Sequence, residues 1–337
     1  MSRSASRNRS AARSCIISAA AKAVRTLTRT GTLLAAAVAI SLIPAPASSG
    51  EAPPLSWPKA LRGQIVRLTE VGYRLNAAAS PLCPRQASAT GITVDYIEAY
   101  PQASRALVAA ELAMGGAPQV AAVAPGSPAQ AAGVRAGDAI LAIDGVTSAA
   151  MAAASPQPAL LADQIEDRLA ATPQGRRIAL VLERDGAQVP VTIDPVQSCA
   201  ARFLVKPEAG MNGFSDGINV ALGSRLIDFA RSDDEIAVVA GHELAHVVNA
   251  DGDAGGLNRR RAMEDRADVL GAALARCAGY DVERGLDIWR RFRKTDVFGF
   301  LAVPEHRGWK ARIANMQARS LTGPCPPSRG LAKGPQT

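Results

Sequence analysis

At 337 residues the chain has room for two modest domains. Its 48% hydrophobic and 20% charged residues exclude a wholly disordered polymer, and with 4% aromatics the cores must be built from small aliphatic side chains. The formal charge of +8 does not imply a nucleic-acid partner: Arg3, Arg7, Arg9, Arg13, Lys22, Arg25 and Arg29 all precede the first acidic residue, Glu51, and without them the body is close to neutral.

That basic stretch is followed by "GTLLAAAVAISLI" and then "PAPASSG", the order of a secretory signal: positive region, short apolar region, small-residue cleavage site. Cleavage after Ala47 gives a signal peptide over 1–47, then a Pro/Ser-rich linker over 48–60. The apolar run is short for a membrane span, so a retained inner-membrane anchor is the lesser alternative. The expected location is periplasmic or secreted, in a bacterial envelope, with peripheral or anchored membrane association as a secondary expectation. Cys83, Cys199, Cys277 and Cys325 remain after cleavage, an even number suited to an oxidising space, and no CxxC is present.

Leu61, Ile65, Leu68, Val71 and Leu75 recur at helical spacing and predict a helix over 61–80. "GITVDYIEAY" reads as a strand, and "QASRALVAAELA" is ambiguous. From Pro118 the pattern changes. A strand at 120–124 leads through "PGSP" to a short helix, and "AILAIDG" is a strand ending in the Asp144-Gly145 turn. A helix at 160–171 and a hairpin around Asp185-Gly186 complete the segment. Carried by "SPAQAAGVRAGDAILAIDG", this segment resembles a PDZ domain, assigned to 117–194. The resemblance implies capture of an extended polypeptide tail between the helix at 160–171 and the strand near 119–124, with a carboxylate loop within "AMGGAPQ"; that loop departs from the usual pattern, which leaves a structural or gating role open.

"RFLVK" and "INVAL" then read as strands joined by a turn, "MNGFSDG". Ser232 and Glu235 form a capping box that opens a helix holding "HELAH". His242 and His246 are four apart and share one helix face, so both imidazoles can reach one metal ion; Glu243 lies beside them. A third ligand is needed, and Glu264, eighteen residues after His246 on a second helix at 259–277, is the candidate. Asp268, on the same face as Glu264, can take the free N–H of a ligand histidine. The competing reading makes Glu264 and Asp268 surface partners of Arg259, Arg260, Arg261 and Arg266.

The pair "HELAH" and "EDRAD" resembles the M48 family of zinc metallopeptidases, among the gluzincins, and "MNGFSDGINVALGSRLIDFARSDDEIAVVAGHE" extends the likeness. The resemblance implies one zinc ion per chain, held by His242, His246 and Glu264, with Glu243 as catalytic base. His306, in "VPEHRGWKARIANM", is assigned to the oxyanion or to substrate orientation, against a plain surface role; Arg312 is assigned a structural place near the cleft. The substrate is expected to lie along an edge strand, with "INVALG" as candidate.

The expected fold class is α+β: a mainly helical metallopeptidase with a small edge sheet, interrupted by the PDZ-like domain. The peptidase occupies 61–116 and 195–320, and a Pro-rich tail covers 321–337. Of the three pairings open to four cysteines, Cys83–Cys199 is preferred because it pins the two ends of the insertion, which leaves Cys277–Cys325. The function expected is exported endoproteolysis of misfolded or specific envelope proteins. A PDZ-driven binding or chaperone-like protein with little proteolysis, and a zinc amidohydrolase acting on a cell-wall amide, are the alternatives. Oligomeric state is not legible.

Overall fold

A computed structural model describes residues 55–207, 210–252, 255–295 and 306–326. The expected signal peptide, most of the linker and most of the tail fall outside them. The described residues lie almost wholly in one compact unit, Ser56–Thr337.

Helix α1 spans Trp57–Ala79, starting earlier than its apolar periodicity because Ser56 and Pro58 suit a helix start. Leu68, Val71, Leu75 and Ala79 are fully buried on one face. Strand β1 (Gln86–Ala89) and strand β2 (Ile92–Asp95) follow, then helix α2 (Gln102–Leu112), β3 (Gln119–Val123) and the short α3 (Pro128–Ala131), capped by Ser127. Next come β4 (Ala139–Ile143), β5 (Val146–Thr147), α4 (Ser148–Ala154), α5 (Leu161–Ala170), β6 (Ile178–Arg184) and β7 (Ala187–Ile193). These strands form one sheet in the order β2-β3-β4-β6-β7, with β5 on β4. Its core gathers Val120, Ile140, Ile143, Leu180 and Leu182 with Leu161, Ile165 and Leu169 of α5.

Two expectations change here. Strand β2 was expected in the peptidase part, but it pairs antiparallel with β3, so this sheet starts upstream of 117. Strand β3 was expected to border the peptide groove, yet it is paired on both sides; the edge beside α5 is β2. A carboxylate loop at 113–119 is therefore misplaced: it enters β3, whereas the turn entering β2 holds Thr90 and Gly91, the glycine at φ +81°.

Strand β8 (Val196–Cys199) pairs antiparallel with β1, with Gln86 opposite Cys199. The Cys83–Cys199 disulfide closes this two-stranded neck of the insertion, and Cys277–Cys325 ties down the last described residues; both pairings are those expected.

The chain then forms β9 (Arg202–Lys206), β10 (Gly213–Ser215), β11 (Asn219–Gly223), α6 (Ser224–Phe229), α7 (Asp233–Asn249), α8 (Leu257–Cys277), α9 (Val282–Gly285), α10 (Asp287–Thr295) and α11 (Trp309–Ser320). Helix α1 joins this half: its Gly72 packs so closely on Phe203 of β9 that an added Cβ would come within 2.5 Å of the ring. One core unites Leu68, Val71 and Leu75 of α1 with Ile236, Leu244, Leu270 and Leu274 of α7 and α8. The fold is α+β, with the PDZ-type sheet between α1 and the remainder of the helical half.

The connection "MNGFSDG", expected to be turn-rich, contains β10. The sheet order is β10-β11-β9, so β11, the expected substrate edge, is central and the edge beside α7 is β10. No helix among the described residues is long and apolar enough to cross a membrane.

Candidate metal centre

Ser232 caps α7 by accepting from the Glu235 amide at 3.4 Å, as the capping box requires. In return the Glu235 carboxylate accepts from the Arg231 amide at 2.7 Å, one residue before the expected partner. Helix α7 ends at Ala250 in the left-handed region (φ +51°), which turns the chain so that the Asp251 amide reaches the His246 carbonyl at 3.0 Å.

Two glycines set the distance between α7 and α8. A Cβ on Gly271 would lie 2.4 Å from the His242 backbone nitrogen, and one on Gly241 would lie 2.6 Å from the Gly271 carbonyl oxygen. The helices therefore cross almost backbone to backbone at the first histidine, and Glu264 is brought over it.

His242, His246 and Glu264 form the metal-competent group, with ligand atoms within 4.8 Å of one another. His242 Nδ1 is 2.9 Å from Asp268 Oδ1, and His246 Nδ1 is 2.9 Å from Asp251 Oδ2. Each carboxylate thereby fixes its imidazole with Nδ1 as donor, which leaves Nε2 as a lone pair. The two Nε2 atoms face each other at 3.3 Å. Glu264 Oε2 lies 3.2 Å from His242 Nε2 and 3.6 Å from His246 Nε2, yet it is buried and makes no directed hydrogen bond. Two lone pairs and an orphaned carboxylate oxygen repel unless a cation or a proton lies among them. The two-nitrogen, one-oxygen donor set fits zinc. Burial opposes a charged imidazole, but the adjacent Asp268 and Glu264 carboxylates overcome it and push His242 up to about 10, so metal and proton compete for the same nitrogen.

Asp268 is 1% exposed and is gripped by Arg312, whose Nε and Nη2 reach Oδ2 at 2.7 Å and Oδ1 at 2.5 Å. Burial raises the Asp268 carboxyl, but Arg312 and then His242 hold it well below the usual range. The guanidinium lies over the rings of Trp289 and Trp309, 5.5 Å and 5.0 Å from their centroids. Asp251, which was not singled out in the sequence, also pairs with Arg266 at 3.3 Å. Its only sequence signal is its place five residues after His246, just past the helix end.

Glu243 points between the helix and β10. Ser215 donates its hydroxyl to Glu243 Oε2 at 3.1 Å, and a Cβ on Gly213 would lie 2.8 Å from Oε1. Gly213 and Ser215 were read as part of a turn. His306 Nε2 lies 2.9 Å from Glu264 Oε2, so this histidine joins the same cluster. The salt-bridge reading of Glu264 and Asp268 does not describe these contacts: both side chains turn inward.

The peptidase family M48 model matches residues 195–254, and the PDZ domain model matches residues 119–155. The His-His-Glu group and its helix thus lie in or beside a segment that resembles a peptidase family. More particularly, one segment of the chain matches the M48 peptidase model and an earlier one matches the PDZ domain model. No curated protein matches the chain. Among solved structures, "HtrA-type protease AlgW with decapeptide" is similar at 23% identity, over 33% of this chain and 30% of that chain, with a TM-score of 0.26. The match spans less than a third of that protein, and so loose a likeness carries no argument.

Proposed function

We propose that the protein is an exported, zinc-dependent endopeptidase that hydrolyses peptide bonds of misfolded or specific envelope proteins. The observation that carries this is the convergence of His242 Nε2, His246 Nε2 and the orphaned Glu264 Oε2 beside the Glu243 carboxylate. Zinc held by these three residues would supply Lewis acidity toward a carbonyl oxygen and toward water.

Glu243 takes the proton of the attacking water and passes it to the leaving amine. Ser215 holds one of its oxygens by a hydrogen bond, and the bare Gly213 leaves room for the other. Asp268 and Asp251 keep the two imidazoles in the tautomer that turns Nε2 inward. Arg312 keeps Asp268 ionised and fixed. His306 stands 2.9 Å from Glu264, close enough to the cluster to face a developing oxyanion or orient substrate. An extended substrate adds along β10, which among the described residues is an edge of its sheet.

The disulfides Cys83–Cys199 and Cys277–Cys325 support an oxidising compartment, in keeping with the leader. The PDZ domain supports polypeptide partners. Cleavage of unfolded casein tests the proposal: it should be abolished by chelation, restored by zinc, and lost in Glu243→Gln. Peptide binding without cleavage in the wild type would favour a chaperone-like role, and cleavage of cell-wall amides alone would favour the amidohydrolase.

A further inference from the structure

Strand β2 is the edge of the PDZ-type sheet, and α5 lies alongside it. On a domain of this type, an edge strand beside a helix is where an extended peptide is added, its main-chain carbonyls accepting from outward amides of the strand. Val94 presents such an amide, because its N–H leaves the sheet toward α5. That amide is taken: it donates to Glu166 Oε1 at 2.8 Å. A side-chain carboxylate from α5 thus occupies the place of an incoming peptide carbonyl.

The occupant is held from the other half of the protein. Arg202, on β9, sends Nη1 to Asp163 Oδ1 at 2.9 Å and Nη2 to the Asp163 carbonyl at 3.2 Å, and its guanidinium also pairs with Asp167. Its Nε lies 3.6 Å from Glu166 Oε2. In register, Arg202 is the partner of Asn219 on β11, the strand between β9 and the substrate edge β10. The seat of Glu166 is thereby fixed by the peptidase sheet, not by the PDZ domain alone. The Glu166 side chain keeps 19% of its surface exposed.

We propose that Glu166 is an internal occupant of the peptide edge: it closes the β2–α5 groove by mimicking the acceptor of an added strand, and an extended polypeptide binds by displacing it from Val94. The ligand is an extended peptide main chain. The inference rests on the reading of polypeptide partners given above. Burial, against the Val94 amide and Arg202, also pushes the Glu166 carboxyl up to about 7. A carboxyl so placed is costly to keep ionised in the closed groove, which suits a group that must leave.

The test uses the full chain in a Glu243→Gln background, so that its result does not depend on turnover. A library of random heptapeptides displayed with free C-termini is selected on this protein and on the same protein with Glu166→Ala. The peptides recovered are made synthetically and titrated. Removing a hydrogen bond to a charged acceptor should tighten binding about tenfold. Arg202→Gln, which frees Glu166 without removing it, should tighten it by a smaller factor and serves if Glu166→Ala fails to fold. Asp167→Asn, which alters the same arginine's outer contact, should change little. Amide exchange at Val94 should slow when the peptide binds. Equal affinity for the parent and Glu166→Ala, no peptide recovered by either, or self-association through the opened edge in place of peptide binding overturns the proposal. Loss of casein cleavage alone would bear on the peptidase reading and leave this one standing.

Discussion

Ser215 on the edge strand β10 donates its hydroxyl to the carboxylate of Glu243 on helix α7, across 3.1 Å. The proposed substrate edge and the proposed base are therefore joined: the strand that would align a peptide also orients the group that would take its water's proton. Ser215→Ala should lower kcat about tenfold, the worth of a hydrogen bond to a charged group, with KM nearly unchanged. A steady-state assay on a fluorogenic peptide separates the two constants. A rise in KM at constant kcat would show that Ser215 serves binding only.

Asp268 ties His242 to Arg312, and all three are buried. Replacing Arg312 by Met leaves Asp268 as an uncompensated buried charge, which should cost about 3–5 kcal/mol in chemical denaturation. Asp268→Asn keeps the volume and should instead weaken metal affinity by about 10–100-fold. Competition with a chromophoric chelator measures that loss. Unchanged affinity would remove Asp268 from its assigned task.

Gly271→Ala tests the helix crossing. Its Cβ would meet the His242 backbone at 2.4 Å, and backbone cannot swing aside. Metal affinity and thermal stability should fall together, whereas Gly255→Ala, which meets nothing within 4 Å, should leave both near wild type.

Much of this was legible in the sequence because chemistry in a helix has a fixed period. His242 and His246 four apart, and Glu264 with Asp268 four apart, announce two faces that can meet. What brings them together was not legible: Gly241 and Gly271 read as ordinary small residues until the helices are seen to cross there. Asp251 and Ser215 were missed for a related reason. Each acts from outside a regular pattern, one through a left-handed turn at Ala250, the other from a three-residue strand too short to show alternation. Strand pairing was the other loss. Periodicity names strands but not neighbours, so β3 and β11 were taken for edges that belong to β2 and β10.

Glu166 gives a pH dependence whose sign is fixed. Its carboxyl is raised to about 7 in the folded chain, by burial first, against the opposing Val94 amide and Arg202 and with Asp163 and Asp167 adding to the rise. A folded-state value above the unfolded one means the native state holds the extra proton. The stability this gives is fully present below the unfolded carboxylate range and is lost as pH rises through about 7. Glu166→Gln should flatten that part of the Tm–pH curve, by a few degrees across the window. Parallel curves for the two proteins would contradict the assignment.

The central claim is that this chain's His242, His246 and Glu264 hold a metal that Glu243 needs for hydrolysis. Metal content measured beside casein cleavage, on the wild type, Glu243→Gln and Glu264→Gln, tests it most directly. The account predicts one zinc per chain in the wild type and in Glu243→Gln, cleavage by the wild type alone, and neither zinc nor cleavage in Glu264→Gln. A zinc-free wild type that still cleaves, or a Glu243→Gln protein that cleaves at the wild-type rate, would contradict it.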